Sequence, residues 1–368
     1  MKKLLISVFI SIFIVCPTFA QEIVPLNEKN WTIQAKAHVL ENYKGKDAIY
    51  IQQGRATLKG ATFRDGTIEF DVYLTERQSF PGVYFRAGDD GNLESFYLRP
   101  HLSGKPDANQ VAPTIGGISA WQLYFGPSYS FPYKYNFNGW THVKIVVNGK
   151  RAQVYLDYAK KQHLSWNLKL PPREGKISIG GSFAPMHYAD FKIDKSAKEI
   201  VDFKVVEPDP IKNIIPEWEI SDKFEEKLLS DPGKLQPVID ARKWEKKIRV
   251  EENNAANIST VTKLRDDVKG NTVFARLKIN SDKDQMKVFE FGYSDRVVAI
   301  LNGKAIYKGT NRWRTRDYRY LGTVGLFDAI YLDLKKGENT LLLAVSEDFG
   351  GWGVTGKFAD QQGVGVSR

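Results

Sequence analysis

From Thr62 onward the chain alternates apolar and polar residues with period two, in short runs separated by Gly, Pro, Asn and Asp. That period sends successive side chains to opposite faces and marks antiparallel strands with one buried and one solvated side. The runs are 67–74, 82–87, 95–99, 121–125, 141–147, 152–157, 176–180 and 188–193, with turn signals at Asp65-Gly66, Asp90-Gly91-Asn92 and Asn148-Gly149-Lys150. Many short strands at this spacing predict an all-β sandwich or jelly roll rather than alternating α/β units.

Between Glu199 and Trp218 the alternation fades, and Pro208, Pro210 and Pro216 resist both helix and central strand. We therefore expect a Pro-rich linker at 206–217 between two β-sandwich (jelly-roll) domains in tandem, 21–205 and 218–368. The second shows strand runs at 272–279, 287–293, 297–301, 329–334 and 339–345, with Asn302-Gly303 and Lys336-Gly337 as turns. Residues 223–230 read as a short helical segment.

The first twenty residues set the compartment. Lys2 and Lys3 precede an unbroken apolar run from Leu4 to Val15, and Thr18-Phe19-Ala20 ends it with a small-x-small site. This is the pattern of a secretory signal peptide cleaved after Ala20, and Pro17 interrupts it short of the roughly 20 apolar residues a membrane span needs. Val15 before Cys16 argues against lipid attachment. The expected product is exported, periplasmic or secreted. The sole Cys leaves with the leader, so disulfides, Cys metal ligands and Cys nucleophiles are excluded from the mature chain.

Loss of Lys2 and Lys3 lowers the formal charge from +10 to +8, of which +6 falls in residues 21–200. The densest basic stretches, 242–247 and 312–316, are short and interrupted, whereas a nucleic-acid surface needs a continuous phosphate-tracking patch. Nucleic acid is not an expected partner. With five His and no mature Cys there is no zinc spacing, so no metal and no cofactor are expected; a structural calcium held by Asp and backbone oxygens stays open.

Alternation also assigns faces. Ile68, Phe70, Val72 and Leu74 point one way, leaving Glu69, Asp71 and Tyr73 opposite; Val83, Phe85, Phe96, Leu98, Trp121, Leu123 and Phe125 are read as inward. If these strands are neighbours, one outer sheet face presents Glu69, Asp71, Tyr84, Arg86, Tyr97, Arg99, Gln122 and Tyr124, with His101 and Gln110 on the adjoining loop. The face holds no Lys. It offers aromatic planes for the C–H side of a pyranose and Arg, Gln and carboxylate groups for its hydroxyls, so the expected ligand is a polysaccharide or oligosaccharide. The plainer reading is a polar face whose Arg–carboxylate pairs satisfy one another. In the second domain Trp313, Arg314, Arg316 and Tyr318 form an aromatic and charged segment that either grips a glycan or packs on the first domain. Trp352 between glycines reads as a core plug.

Several segments resemble a known family. The strings Thr67-Ile68-Glu69-Phe70-Asp71-Val72, Pro81-Gly82-Val83-Tyr84-Phe85-Arg86, Trp121-Gln122-Leu123-Tyr124, Trp140-Thr141-His142-Val143-Lys144-Ile145 and Ala189-Asp190-Phe191-Lys192-Ile193 resemble the concanavalin A-like lectin/glucanase jelly rolls. The nearest members are laminin-G-like domains and family 16 glycoside hydrolase-like, or 3-keto-disaccharide hydrolase-like, domains; the resemblance spans roughly residues 25–200. Family 16 glucanases carry Glu-x-Asp-x-Glu on one strand. The resemblance matches Glu69 to the nucleophile and Asp71 to the helper, but Tyr73 stands at the acid/base position, so the proton donor of a retaining mechanism is missing. Phe289-Glu290-Phe291-Gly292-Tyr293, Ile300-Leu301-Asn302-Gly303 and Phe349-Gly350-Gly351-Trp352-Gly353 resemble a galactose-binding-like sandwich.

Three readings follow: a carbohydrate-binding protein acting through the outer sheet of its first domain, a glycoside hydrolase or keto-sugar-processing enzyme using Glu69 and Asp71, and a structural or partner-binding envelope protein. The missing proton donor favours the first.

Overall fold

The computed structural model describes residues 22–316 and 322–366. The expected leader, including Cys16 and the Ala20 site, and Tyr318 lie outside them. The N-terminal half contains β1 (Glu22–Ile23), β2 (Trp31–Tyr43), β3 (Lys46–Leu58), β4 (Gly66–Leu74), β5 (Gly82–Ala87), β6 (Glu94–Leu98), β7 (Asn109–Val111), β8 (Thr114–Ile115), β9 (Ile118–Ser119), β10 (Gly139–Asn148), β11 (Arg151–Leu156), β12 (Leu164–Asn167), β13 (Lys176–Gly181) and β14 (Met186–Asp194). Pairing runs β12-β11-β10-β4-β14-β3-β13-β5-β6-β7, all antiparallel, with β2 along the other edge of β3.

Strand β3 is the fold's corner. Its first half, Ala48–Ile51, pairs with β14, whereas its second half, Arg55–Thr57, pairs with β13. Between them Gln53 and Gly54 take positive φ, and a Cβ on Gly54 would lie 2.2 Å from the Gln34 carbonyl, so that corner requires glycine. The sheet thereby folds into two layers: β12-β11-β10-β4-β14 as the first, β13-β5-β6-β7 as the second. Ile68, Phe70, Val72, Val83, Phe85, Phe96, Val143 and Ile145 fill the space between them as one apolar cluster. Tyr188, inward on β14, crosses that core to donate to the Gly180 carbonyl (2.6 Å) and to accept from the Gly82 N–H (2.9 Å).

The C-terminal half contains β15 (Glu217–Ile220), β16 (Lys246–Arg249), β17 (Ala256–Asn257), β18 (Thr272–Ser281), β19 (Gln285–Ser294), β20 (Arg296–Leu301), β21 (Lys304–Thr310), β22 (Asp328–Leu334), β23 (Gly337–Ser346), β24 (Gly353–Phe358) and β25 (Val364–Val366). Sheets β16-β15-β18-β23-β20-β21 and β17-β24-β19-β22 enclose a second core around Trp218, Phe289, Phe291, Leu341, Leu343 and Trp352. Trp352 is fully buried and donates to the Val345 carbonyl, the plug expected of it. The segment read as helical becomes a 3-10 turn, Glu226–Leu229, followed by the short helix Leu235–Asp240, and its apolar side covers Phe274, Ile300 and Leu342. The architecture is thus all-β, built of sandwiches.

One expected strand fails, and one hairpin was not foreseen. Residues 121–125 form a turn, with Leu123 and Tyr124 N–H groups both donating to the Ala120 carbonyl. Five residues are too few for period two to be told from a turn that buries adjacent side chains. Conversely, the long β2–β3 hairpin precedes Thr62. Residues 36–42 are exposed on both faces, so no alternation announces the strand there.

Candidate functional site

The outward side chains expected on one face do not share one. Between β4 and β5 lie β14, β3 and β13, and the corner in β3 turns the two strands into opposite layers. Glu69 and Asp71 point outward from the first layer, whereas Tyr84 and Tyr97 belong to the second. Alternation separates inward from outward, but a sandwich has two outward faces.

On the second layer most of the expected ligand residues are spent internally. Tyr97 donates to Gln110 Oε1 (2.7 Å), and Arg99 bonds that same oxygen and the Tyr97 hydroxyl while lying 3.4 Å from Asp107. The Gln110 amide donates to the Trp121 carbonyl (2.8 Å) and the Tyr124 carbonyl (2.5 Å), pinning the 120–124 turn over this face. Tyr97, Arg99 and Gln110 are consequently buried, a correction to their reading as open ligand contacts. Arg86 is fully buried too: at φ +52° it turns away from the outer face and donates to Asp65 and to the Arg64 and Gly149 carbonyls. Gln122 and Tyr124 face the C-terminal half. The Gln122 side chain accepts from Ser294 (2.9 Å), and Tyr124 donates to Glu251 (3.0 Å) and accepts from Asn257 (3.2 Å). Tyr84 stays half-buried beneath the Arg55 guanidinium, 3.5 Å from its ring, and His101 packs on Phe80 with its pKa lowered by burial and by Arg99. In the C-terminal half Arg316 is committed to Asp328 (2.5 Å) and Tyr293 (3.1 Å), whereas Trp313 is exposed with Arg314 lying 4.2 Å over its ring.

A cleft of about 390 Å³ lies along the junction of the halves, lined by Tyr129, Trp166, Lys169, Glu251, Glu252 and the coil at 205–208. Lys169 bonds Glu252, lies 3.4 Å from Glu251, and sits over the rings of Tyr124 and Tyr129. This charge network ties the halves together.

The first layer presents a different arrangement. Register places His142 of β10 opposite Asp71 and Lys144 opposite Glu69. His142 Nδ1 is 2.6 Å from Asp71, and its Nε2 is 3.4 Å from Glu69, so one imidazole stands between the two carboxylates. The tip of the β2–β3 hairpin brings Lys46, which bonds Asp71 and also Asp190 (2.6 Å). Asp190 reaches that position because β14 carries an extra residue between Ala189 and Lys192 in its pairing with β4.

Burial raises the Asp71 pKa, but bonds from His142 and Lys46 outweigh it and hold the carboxyl below the usual range. Burial lowers the His142 pKa, yet Asp71 and Glu69 bring it above the ordinary imidazole value. Lys46 is raised likewise: Asp190 and Asp71 overcome desolvation. Asp71 thus lies against both an imidazole and an ammonium, whose other sides meet the Glu69 and Asp190 carboxylates.

Aromatic rings surround these charges. Tyr158, 74% exposed, stacks on His142 with centroids 4.0 Å apart and planes 8° apart. Tyr43 stacks on His187 (3.6 Å) and meets Tyr73 edge-on (5.0 Å), and Trp140 packs on Tyr73 with Lys46 over its ring. Lys44, Asp157, Tyr158 and Asp190 all take left-handed φ, +49° to +58°, a concentration of strain typical of functional sites. Asp157 holds that conformation by accepting from the His142 N–H (3.0 Å) and from the Tyr133 hydroxyl (2.6 Å).

Sequence reading thus named Glu69 and Asp71 but missed Lys46, His142, Tyr158 and Asp190. The alternation of Trp140, His142 and Lys144 carried a signal for His142; a bulge and a hairpin tip leave none. Among the described residues no group of three or more His, Cys, Asp or Glu is arranged to hold a metal ion, and no helix is long and apolar enough to cross a membrane.

No protein-family model matches this chain, and no curated protein matches it. Among solved structures it is similar to the carbohydrate-binding module CBM66 from Bacillus subtilis, with 15% identity over 45% of this chain and 96% of that one and a TM-score of 0.33. It is also similar to a Bacillus subtilis protein with a galectin-like fold (11% identity, 46% and 91% covered, TM-score 0.34). A third is SCLam, a non-specific endo-β-1,3(4)-glucanase from family GH16 (8% identity, 49% and 93% covered, TM-score 0.35). At such identities and TM-scores these likenesses assign neither an activity nor a residue role to this chain.

Proposed function

We propose that this chain is an exported carbohydrate-recognition protein whose poly- or oligosaccharide ligand lies on the outer face of the first layer. The observation that carries the reading is Tyr158, strained and exposed, stacked on an imidazole that is clamped between Asp71 and Glu69. The free side of its ring offers a plane for sugar C–H groups, while Lys46, Lys144, Asp190 and Glu69 offer hydroxyl partners of both kinds at the rim. The reading takes 21–205 as the ligand-binding unit, joined by 206–217 to a second unit, 218–368, and export rests on the leader-like first twenty residues.

Affinity electrophoresis of the mature chain against a polysaccharide panel tests this. Tyr158→Ala should weaken retention about tenfold at an unchanged melting temperature, and Asp71→Asn should weaken it further. Unaltered retention in Tyr158→Ala overturns the assignment.

One observation favours a second reading, hydrolysis. In it, His142, which Asp71 and Glu69 hold above the ordinary imidazole value against burial and whose Nε2 lies 3.4 Å from Glu69, would be the proton donor that Tyr73, at the expected acid/base position, is not. That reading requires new reducing ends or released keto-sugar from the same panel, abolished by both Glu69→Gln and His142→Asn. Because both His142 nitrogens face carboxylates and Asp71 is held ionised, binding is the better supported of the two.

A further inference from the structure

A different part of the molecule carries exposed aromatic rings on fixed backbone. Phe349 is 56% exposed and half-covers Trp121, their centroids 6.0 Å apart at 58°. The backbone under each ring is held. The Phe349 N–H and the Asp348 N–H donate to Asp295 Oδ2 at 3.2 and 2.9 Å, and the Trp121 carbonyl accepts from Gln110 at 2.8 Å. Beside Phe349, Asp348 lies 3.3 Å from Arg312, which leads directly to exposed Trp313 and to Arg314, stacked on it.

The two halves are locked together beneath this surface. Gln122 donates its N–H to the Gly350 carbonyl (2.9 Å) and accepts from the Val324 N–H (2.9 Å). The contact demands glycine: at φ +110° a Cβ on Gly350 would lie 2.1 Å from Gln122 Oε1. Trp121 from one half is thereby fixed against Phe349 from the other, and Arg312, paired with Asp348 next to Phe349, carries Trp313 and Arg314 on the same segment.

Single exposed apolar side chains are ordinary, whereas several grouped together and rimmed by polar residues mark a binding surface. Rings held by a rigid backbone lose little entropy on binding, which suits them to stacking a ligand. Guanidinium groups interleaved with the rings add planar donors that match carboxylates. We propose that Trp121, Phe349, Trp313, Arg312 and Arg314 form a second saccharide site, across the seam between the halves, that takes a chain of pyranose rings bearing carboxylates. The site is separate from the Tyr158 face of the first layer and does not depend on it.

The test uses the full mature chain in affinity electrophoresis against polygalacturonate, with laminarin as the neutral counterpart, and Phe349→Ala, Trp313→Ala and Arg314→Ala as variants. Each should lose at least about fivefold in retention on polygalacturonate with an unchanged melting temperature, and Arg314→Ala should flatten the salt dependence of the wild type. Wild-type retention in both Phe349→Ala and Trp313→Ala overturns the site. So does a Phe349→Ala variant that converts a dimer to a monomer in sedimentation while retaining polygalacturonate normally, because the platform is then a self-association contact. Loss in these variants with none in Tyr158→Ala supports the seam site as the polygalacturonate site; loss in Tyr158→Ala with none in these variants overturns it.

Discussion

The two outer faces of the N-terminal sandwich are made of the same materials and end in opposite states. On the second layer Tyr97, Arg99 and Gln110 satisfy one another and hold down a turn that roofs them. On the first layer Glu69, Asp71, His142 and Lys46 form an equally dense polar cluster, but its cover is only a strained tyrosine and a hairpin tip. A polar network beneath the chain's own backbone serves the fold, whereas one beneath a single exposed ring has a solvent-facing side left for a ligand. Polar composition alone does not distinguish them; what lies above each face does.

The strongest way to break this contrast lies on β5. Arg86→Ala empties a fully buried site and strips the Arg64 and Gly149 carbonyls of their donor, and should cost about 3–5 kcal/mol in urea denaturation. Tyr84→Ala, two residues away and half-buried, should cost below about 1 kcal/mol. Equal losses would mean that Arg86 is not the internal strut its bonds describe.

Next in size is a pH effect from Glu94, fully buried on β6. Burial pushes its carboxyl from 4.5 up to about 7, against the help of the Leu170 N–H. A raised acid stabilises the fold fully below its unfolded pKa and loses that contribution as pH rises through the folded value. Between pH 4.5 and 8 the wild type should therefore lose roughly 3 kcal/mol relative to Glu94→Gln. Chemical denaturation of both proteins at steps across that window checks it, and parallel curves would show that Glu94 is ionised in the fold.

Gln110→Ala should cost about 1–3 kcal/mol, since the acceptor of Tyr97 and Arg99 disappears, with glycan retention on the first-layer face unchanged. A loss of retention without a loss of stability would reopen the second layer as a binding face. The smallest stability effect belongs to Tyr158→Ala, within about 0.5 kcal/mol, because little of the ring is buried and its φ of +58° is strained. A large destabilisation there would make Tyr158 a structural lid.

Much of the fold was legible along the chain. The runs beginning at Thr67, Gly82, Thr141, Thr272 and Val297 became strands because each has enough alternating residues to bury one side. The hairpin of β2 and β3 was not legible, since its outer half buries neither side. The site was half legible: Glu69 and Asp71 follow from strand period, whereas Lys46 and Asp190 arrive through a hairpin tip and a bulge. Residues 121–125 show the converse error, in which a short apparent alternation was a turn driven into a neighbouring surface.

What the sequence determined by itself is the class of structure and the sidedness of each strand, because period two is fixed by local backbone geometry. What only the tertiary structure decided is which outward faces coincide and which are covered. That choice depends on the corner in β3, which sets strands distant in sequence into opposite layers, and on the C-terminal half, which closes over Gln122 and Tyr124 and leaves Tyr158 in solvent. Those are contacts between residues tens to hundreds of positions apart, on which local periodicity carries no information.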